Sequence, residues 1–247
     1  MASDSEQQIV LFDLPSKPPN KAWSLNPWKT RMLLNYKGLN YRTEWIEYPD
    51  IRPRLEGHVE PNSTNLPYTI PTIILPSGEY VMNSRTIADR IEALYPSPPV
   101  HLDSPQLAKL EELMRQLMPI LMAAFCGPAM RNVVTEASLP YWKRTRAAAF
   151  GMPVEEFEAK FGGEPCWQKA EPPLAELTAL LTEKKAEGPF FMGKEVSYAD
   201  FVWVGFLIFC QKVGEGTYEK LLERSGDAEA HAKLMEAAKP WCERDDY

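Results

Sequence analysis

The stretch from Tyr68 to Pro96, YTIPTIILPSGEYVMNSRTIADRIEALYP, decides the fold. Thr72-Ile73-Ile74-Leu75 is an apolar, largely β-branched run suited to a pleated and buried surface. Pro76-Ser77-Gly78-Glu79 is turn chemistry, and Tyr80-Val81-Met82 returns as a second strand. Asn83-Ser84 then offers a helix cap ahead of Ile87, Ala88, Ile91, Leu94 and Tyr95, which recur on one helical face. Ile70-Pro71 sets a proline just before the first strand, where a free backbone edge can face a ligand.

Working outward, Ile9-Val10-Leu11-Phe12 reads as a buried strand, and the proline-rich loop from Asp13 to Asn20 stops it. A helix follows, capped by Asn26 with Pro27 in its first turn, or by Ser24 if it starts earlier. Trp28, Met32, Leu33 and Tyr36 share one of its faces, and Gly38 suits its end. Thr43-Glu44-Trp45-Ile46 is the next strand, giving a right-handed βαβ unit. Tyr48 to Leu66 is irregular apart from a short helix around residues 51–57.

Beyond the proline-rich Ser97 to His101 the chain reads as helical. One helix opens at Ser104-Pro105 and carries Leu107, Leu110, Leu113, Met114, Leu117 and Leu121; Pro119 should kink or divide it. Further helices are expected over 141–150, 154–161 and, from its leucine spacing, 171–187. Ser197-x-x-Asp200 is a capping box ahead of FVWVGFLIFC, a helix apolar on all sides.

Composition narrows the function classes. A net charge of −7 argues against a phosphate-backbone partner, so no nucleic acid is expected. Four scattered cysteines and three scattered histidines offer no metal-ligand spacing and fit a reducing compartment. Residues 1–8 are polar and lack a secretory core. The run from Phe201 to Cys210 is far short of the ~20 residues of a membrane span. No membrane association is expected, and the cytoplasm is the default location.

The order β-α-β-α-β-β-α, with the Ile70-Pro71 dipeptide and the Asn83-Ser84 helix start, resembles the glutathione-binding half of cytosolic glutathione transferases. The resemblance implies an α/β plus all-α architecture. It places a thioredoxin-like domain over residues 1–95, a linker over 96–103 and an all-helical domain over 104–247. Trp23-Ser24-x-Asn26, Trp28-Lys29-Thr30-Arg31 and Glu44 to Ile51 are similar to the fungal class related to bacterial β-etherases. Members of that class act on, or bind, lignin-derived and other plant aromatics. Glutathione as co-substrate, small hydrophobic aromatic partners and a homodimer are what this resemblance implies.

The resemblance also assigns residues. Ser24 stands where serine-type transferases hold the glutathione thiolate, with Asn26 as the alternative through its amide. A thiol pKa near ~8.5 lowered by about two units needs roughly 2.7 kcal/mol of preference for thiolate. A hydroxyl hydrogen bond and helix-end N–H groups supply that order of magnitude. The competing role for Ser24 is a helix cap. The implied cis Ile70-Pro71 bond turns the Ile70 backbone toward the cysteinyl unit. Ser84 receives the γ-glutamyl carboxylate at a helix start. Asn83 replaces the usual acidic residue, and Thr69 the usual Lys or Gln, departures that weaken glutathione binding unless other groups compensate. Lys29, Arg31, Arg52, Arg54 and His58 are candidates for the glycyl carboxylate. The absence of cysteine between the first strand and first helix disfavours thiol–disulfide chemistry. Trp23, Met118, Met122 and Phe125 are expected in an aromatic-ligand pocket, drawn from a larger set with Trp28, Met114, Tyr141 and Trp142.

Three functions follow: a transferase acting on electrophilic or ether-linked aromatics, a non-catalytic ligandin for polyphenols, and a silent interaction protein.

Overall fold

A computed structural model describes residues 8–19, 21–64 and 66–245. The polar residues 1–7, most of the segment in which no secretory core is found, lie outside the described residues. So do residues 20 and 65, each within a stretch read as loop.

The N-terminal half is a four-stranded mixed sheet in the order β2-β1-β3-β4. Strand β1 (Ile9–Asp13) is buried along its whole length, pairs in parallel with β2 (Tyr41–Trp45) and antiparallel with β3 (Thr72–Ile74). The turn at Pro76–Glu79 returns the chain as β4 (Tyr80–Met82), antiparallel to β3. Helix α1 (Leu25–Tyr36) joins β1 to β2, and Gly38 ends it with φ +65°, the left-handed conformation glycine adopts without steric cost. The connection from β2 to β3 holds a 3-10 turn at Tyr48–Asp50 and α2 (Ile51–Leu55). Helix α3 (Ser84–Leu94) buries Ile87, Ala88 and Ile91, three of the five residues that marked it in the sequence. This is a thioredoxin-like domain, and a helical one follows it.

The helical half runs through α4 (Pro105–Asn132), α5 (Leu139–Phe150), α6 (Val154–Phe161), α7 (Glu164–Thr182), α8 (Tyr198–Val213), α9 (Thr217–Ser225) and α10 (Ala228–Ala238). Helix α8 is its axis: fourteen of its sixteen residues are buried. It packs directly against α1 at Gly205, where an added Cβ would stand 3.0 Å from the Leu25 carbonyl oxygen and 3.3 Å from Trp28 Cβ. Side-chain-free backbone at that point lets the two halves of the chain close on each other.

One expectation is narrowed and one needs correction. Pro119 does not divide α4, which runs unbroken through both Pro119 and Pro128. The carbonyl that Pro119 leaves unpaired belongs to Arg115, and both residues are exposed, so water can replace the missing N–H. Helix α7 begins at Glu164 and ends at Thr182, not over 171–187. Pro172 and Pro173 lie inside it, and the carbonyls they free belong to the exposed Gln168 and Lys169. Helix α4 is also long and apolar enough, by length and composition, to cross a bilayer. Most of that apolar stretch, 61%, is buried inside the protein, as in a core helix.

Candidate functional site

The carboxyl end of β1, the loop after it and the start of α1 meet α4 and α5 around a cavity of about 300 Å³. Ser24, Asn26, Thr69 and Ile70 line it from the thioredoxin-like side. Trp23, Met118, Met122 and Phe125 line it as well, so the four expected aromatic-pocket residues are brought together with the four polar and backbone ones. Met118 and Met122 are one turn apart on α4 and half-buried, whereas Trp23 and Phe125 are 2% exposed and offer only an edge. Trp28 and Met114, from the larger set, are buried in the core away from the cavity.

Ser24 occupies the N-cap position of α1, as the earlier of the two possible starts requires. Its backbone is extended (φ −76°, ψ 130°) and its carbonyl accepts the Trp28 N–H at 3.2 Å. Its hydroxyl caps nothing: no side-chain cap bond forms, and the Ser24 hydroxyl has no partner among the described residues. Asn26 is exposed at the cavity wall, likewise without a side-chain bond.

The Ile70-Pro71 bond is cis. The Pro71 carbonyl accepts the Asn83 N–H at 3.1 Å, which fastens the start of β3 to the start of α3. Ile70 itself makes no backbone hydrogen bond with a described residue, leaving a donor and an acceptor at the cavity edge.

Asn83, Ser84, Pro71 and Lys29 lie outside the cavity lining. Asn83 stands at the N-cap of α3 but does not cap it; its backbone has φ +76°, a region that costs of order 1–3 kcal/mol for a residue other than glycine. Its side chain turns sideways instead, accepting the Thr69 hydroxyl at 2.9 Å and donating to Asn62 Oδ1 at 2.9 Å. The two positions that depart from the family pattern are therefore partners of each other. Ser84 begins α3, and its carbonyl accepts the buried Tyr198 hydroxyl at 2.9 Å. Lys29 is desolvated at the α1 surface; burial lowers its pKa to about 8, with Glu111 on α4 pulling the other way. Glu111 is shared with Arg85, 3.2 Å away.

Of the other basic candidates, Arg31 is buried against Asp13 at 2.8 Å, Arg52 pairs with Glu56, and Arg54 pairs with Glu44. His58 stacks on Tyr80 with ring centroids 4.5 Å apart. Lys29 and His58 alone of the five have no ion pair among the described residues.

Tyr141 and Trp142, from the larger set, line the cavity, and sequence reasoning missed Tyr48, Arg146, Cys126 and Phe209 beside them. Tyr48 and Tyr141 stack at 6.1 Å, and the Arg146 guanidinium lies 4.4 Å over the Trp142 ring. The i,i+4 spacing of Trp142 and Arg146 on α5 is the one sequence signal that links this pair.

Two family models match the chain: the glutathione S-transferase N-terminal domain over residues 23–94 and the C-terminal domain over residues 108–241. The glutathione S-transferase-like protein ustS of Aspergillus flavus is 30% identical, over 98% of this chain and 94% of its own length. Among solved structures, glutathione transferase GSTFuA2 from Phanerochaete chrysosporium superposes with a TM-score of 0.85 at 28% identity, covering 97% of this chain and 100% of that one. A glutathione S-transferase of Ceriporiopsis subvermispora, solved in complex with glutathione, gives 0.82 at 31% identity, covering 95% and 97%. The two halves, in this order, thus have one source: this chain belongs to the glutathione S-transferase family.

Proposed function

We propose that the chain joins glutathione to electrophilic aromatic compounds, with Ser24 holding the thiolate. The observation that carries this reading is the Ser24 hydroxyl, which stands at the N-terminus of α1, caps nothing and lines the cavity. A donor already oriented at a helix start favours a sulfur anion over a thiol. The cysteinyl backbone pairs with the free N–H and C=O of Ile70, and the γ-glutamyl end reaches Asn83 and Ser84. The thiolate attacks an electron-poor ring or allylic carbon; the carbon–sulfur bond forms, the bond to the leaving group breaks, and that group departs with the electron pair. The thiol proton is released to solvent. Division of labour at about residues 96–103 belongs to the same reading. So does a cytoplasmic homodimer, whose cysteines Cys126, Cys166, Cys210 and Cys242 are all free thiols; light scattering checks the assembly.

The test is Ser24→Ala with glutathione and a neutral activated aryl halide. Conjugation should slow by roughly tenfold or more, since one bond to a charged group is worth about 1.5–3 kcal/mol. Glutathione affinity should change far less, and the thiolate ultraviolet band near neutral pH should fade. An unchanged rate and band would leave Asn26 or backbone N–H groups in that role. The Met and aromatic walls support a second reading, a ligandin. Tight aromatic binding without turnover in the parent protein would select it.

A further inference from the structure

We propose that the cavity wall around Tyr48, Tyr141 and Trp142 selects aromatic compounds carrying an ionised acid, with Arg146 as the residue that binds the anion. This rests on the reading that the cavity receives an aromatic co-substrate and names its chemical class.

The lining contains one full charge. Arg146 is the only ionised side chain on the wall, where no Asp or Glu appears among the described residues, although the whole chain carries −7. Arg146 makes no hydrogen bond or ion pair with any described residue; its one neighbour of note is the Trp142 ring. That stacking fixes the guanidinium plane without using its N–H donors.

The guanidinium is felt inside the cavity. Its charge favours the ionised forms of Tyr48 and Cys126, both on the lining, although burial still raises both groups above their ordinary pKa values. The carboxylates that act on these same groups, Asp13 and Glu158, are already paired with Arg31 and Arg131. Glu47, near the same wall, is taken by the hydroxyls of Thr135 and Ser138, both at 2.5 Å. None of these three carboxylates is left for Arg146. Arg146 therefore offers uncommitted donors beside the ring faces set by Tyr48, Tyr141 and Trp142.

A one- or two-ring aromatic fits a volume of about 300 Å³, at the small end for ligand sites. Placed between these rings, such a compound meets Arg146 with a carboxylate or another ionised substituent. An Arg–carboxylate contact is bidentate and stronger than a neutral hydrogen bond.

The test is calorimetric titration of the full chain, without glutathione, with cinnamate and with cinnamamide. The two probes have the same ring and length and differ in charge. The parent protein should prefer cinnamate by about tenfold or more. Arg146→Gln should reduce that preference to within about twofold, and Arg146→Lys should retain part of it as a point charge. Arg146 is partly exposed on α5, and an unaltered thermal melt verifies that each variant is folded. Equal affinity of the parent for the two probes overturns the proposal. So does a preference that survives in Arg146→Gln, or no binding of either probe at millimolar concentration. Because glutathione is absent, these outcomes are independent of the Ser24 experiment, which tests the transferase reading with a neutral electrophile.

Discussion

Asp13, the last residue of β1, and Arg31, in the middle of α1, face each other at 2.8 Å with neither side chain exposed. The second carboxylate oxygen accepts the Leu14 N–H at 2.7 Å, and Arg31 also donates to the Thr43 hydroxyl at 3.1 Å. One ion pair therefore ties β1, α1 and β2 together directly below the wall where Leu14 and Ser24 stand. Breaking a buried pair leaves an uncompensated charge, which costs about 3–5 kcal/mol. Asp13→Asn should lower the unfolding free energy by that order in a urea titration. A loss under about 1 kcal/mol would mean that water reaches Arg31.

Asp200 gives a prediction with a pH signature. Its carboxylate accepts the Ser197 N–H at 2.7 Å, the Ser197 hydroxyl at 2.9 Å and the Phe191 N–H at 2.9 Å. Burial nonetheless raises its pKa to about 6, against hydrogen bonds that favour the ionised form. Between the ordinary value of 3.8 and about 6 the folded chain holds the proton more tightly than the unfolded chain. The contribution of this group to stability therefore falls as pH rises through that window. Asp200→Asn should flatten this part of the profile in calorimetry. Asp200→Ala orphans two buried N–H groups and should cost on the order of 1 kcal/mol or more at any pH.

The bond between Thr69 and Asn83 makes the third prediction. Asn83→Asp restores an acidic group where the γ-glutamyl ammonium is expected, and Thr69 can still donate to it. The new carboxylate cannot donate to Asn62 Oδ1, so the Asn62 amide must flip and present its Nδ2. Glutathione should then bind severalfold more tightly by calorimetry. Unchanged or weaker binding would place the ammonium elsewhere.

The segment from Tyr68 to Pro96 was legible because its strands, turn and helix are set by near neighbours: β3 meets β4 across one tight turn. The long helices were less so. Whether Pro119, Pro172 and Pro173 break a helix depends on which side the freed carbonyls face, and that side is chosen by tertiary packing. Ser24 was found but its role was not decided, because a cap and a thiolate donor both put serine at a helix start. Only the uncommitted hydroxyl separates them. Arg146 could not be read as a ligand group, since Glu47, Asp13 and Glu158 might each have paired with it until the fold gave them other partners.

Lys29 supplies the last prediction. It is desolvated, has no ion pair among the described residues, and has a pKa lowered to about 8 from 10.5. Between those values the unfolded chain holds more protons than the folded one, so this group makes stability rise with pH across that window. Lys29→Met keeps the apolar stem and removes the cation; it should stabilise the free protein near neutral pH by roughly 1–3 kcal/mol. If Lys29 receives a carboxylate of glutathione, the bound anion raises its pKa again, and binding near pH 8 takes up a fraction of a proton. S-methylglutathione isolates this effect because it has no ionisable thiol. Calorimetry in buffers of different ionisation enthalpy should show proton uptake with the parent protein and none with Lys29→Met, whose affinity should also fall by about tenfold. Equal uptake in the two proteins would assign the proton to a group other than Lys29.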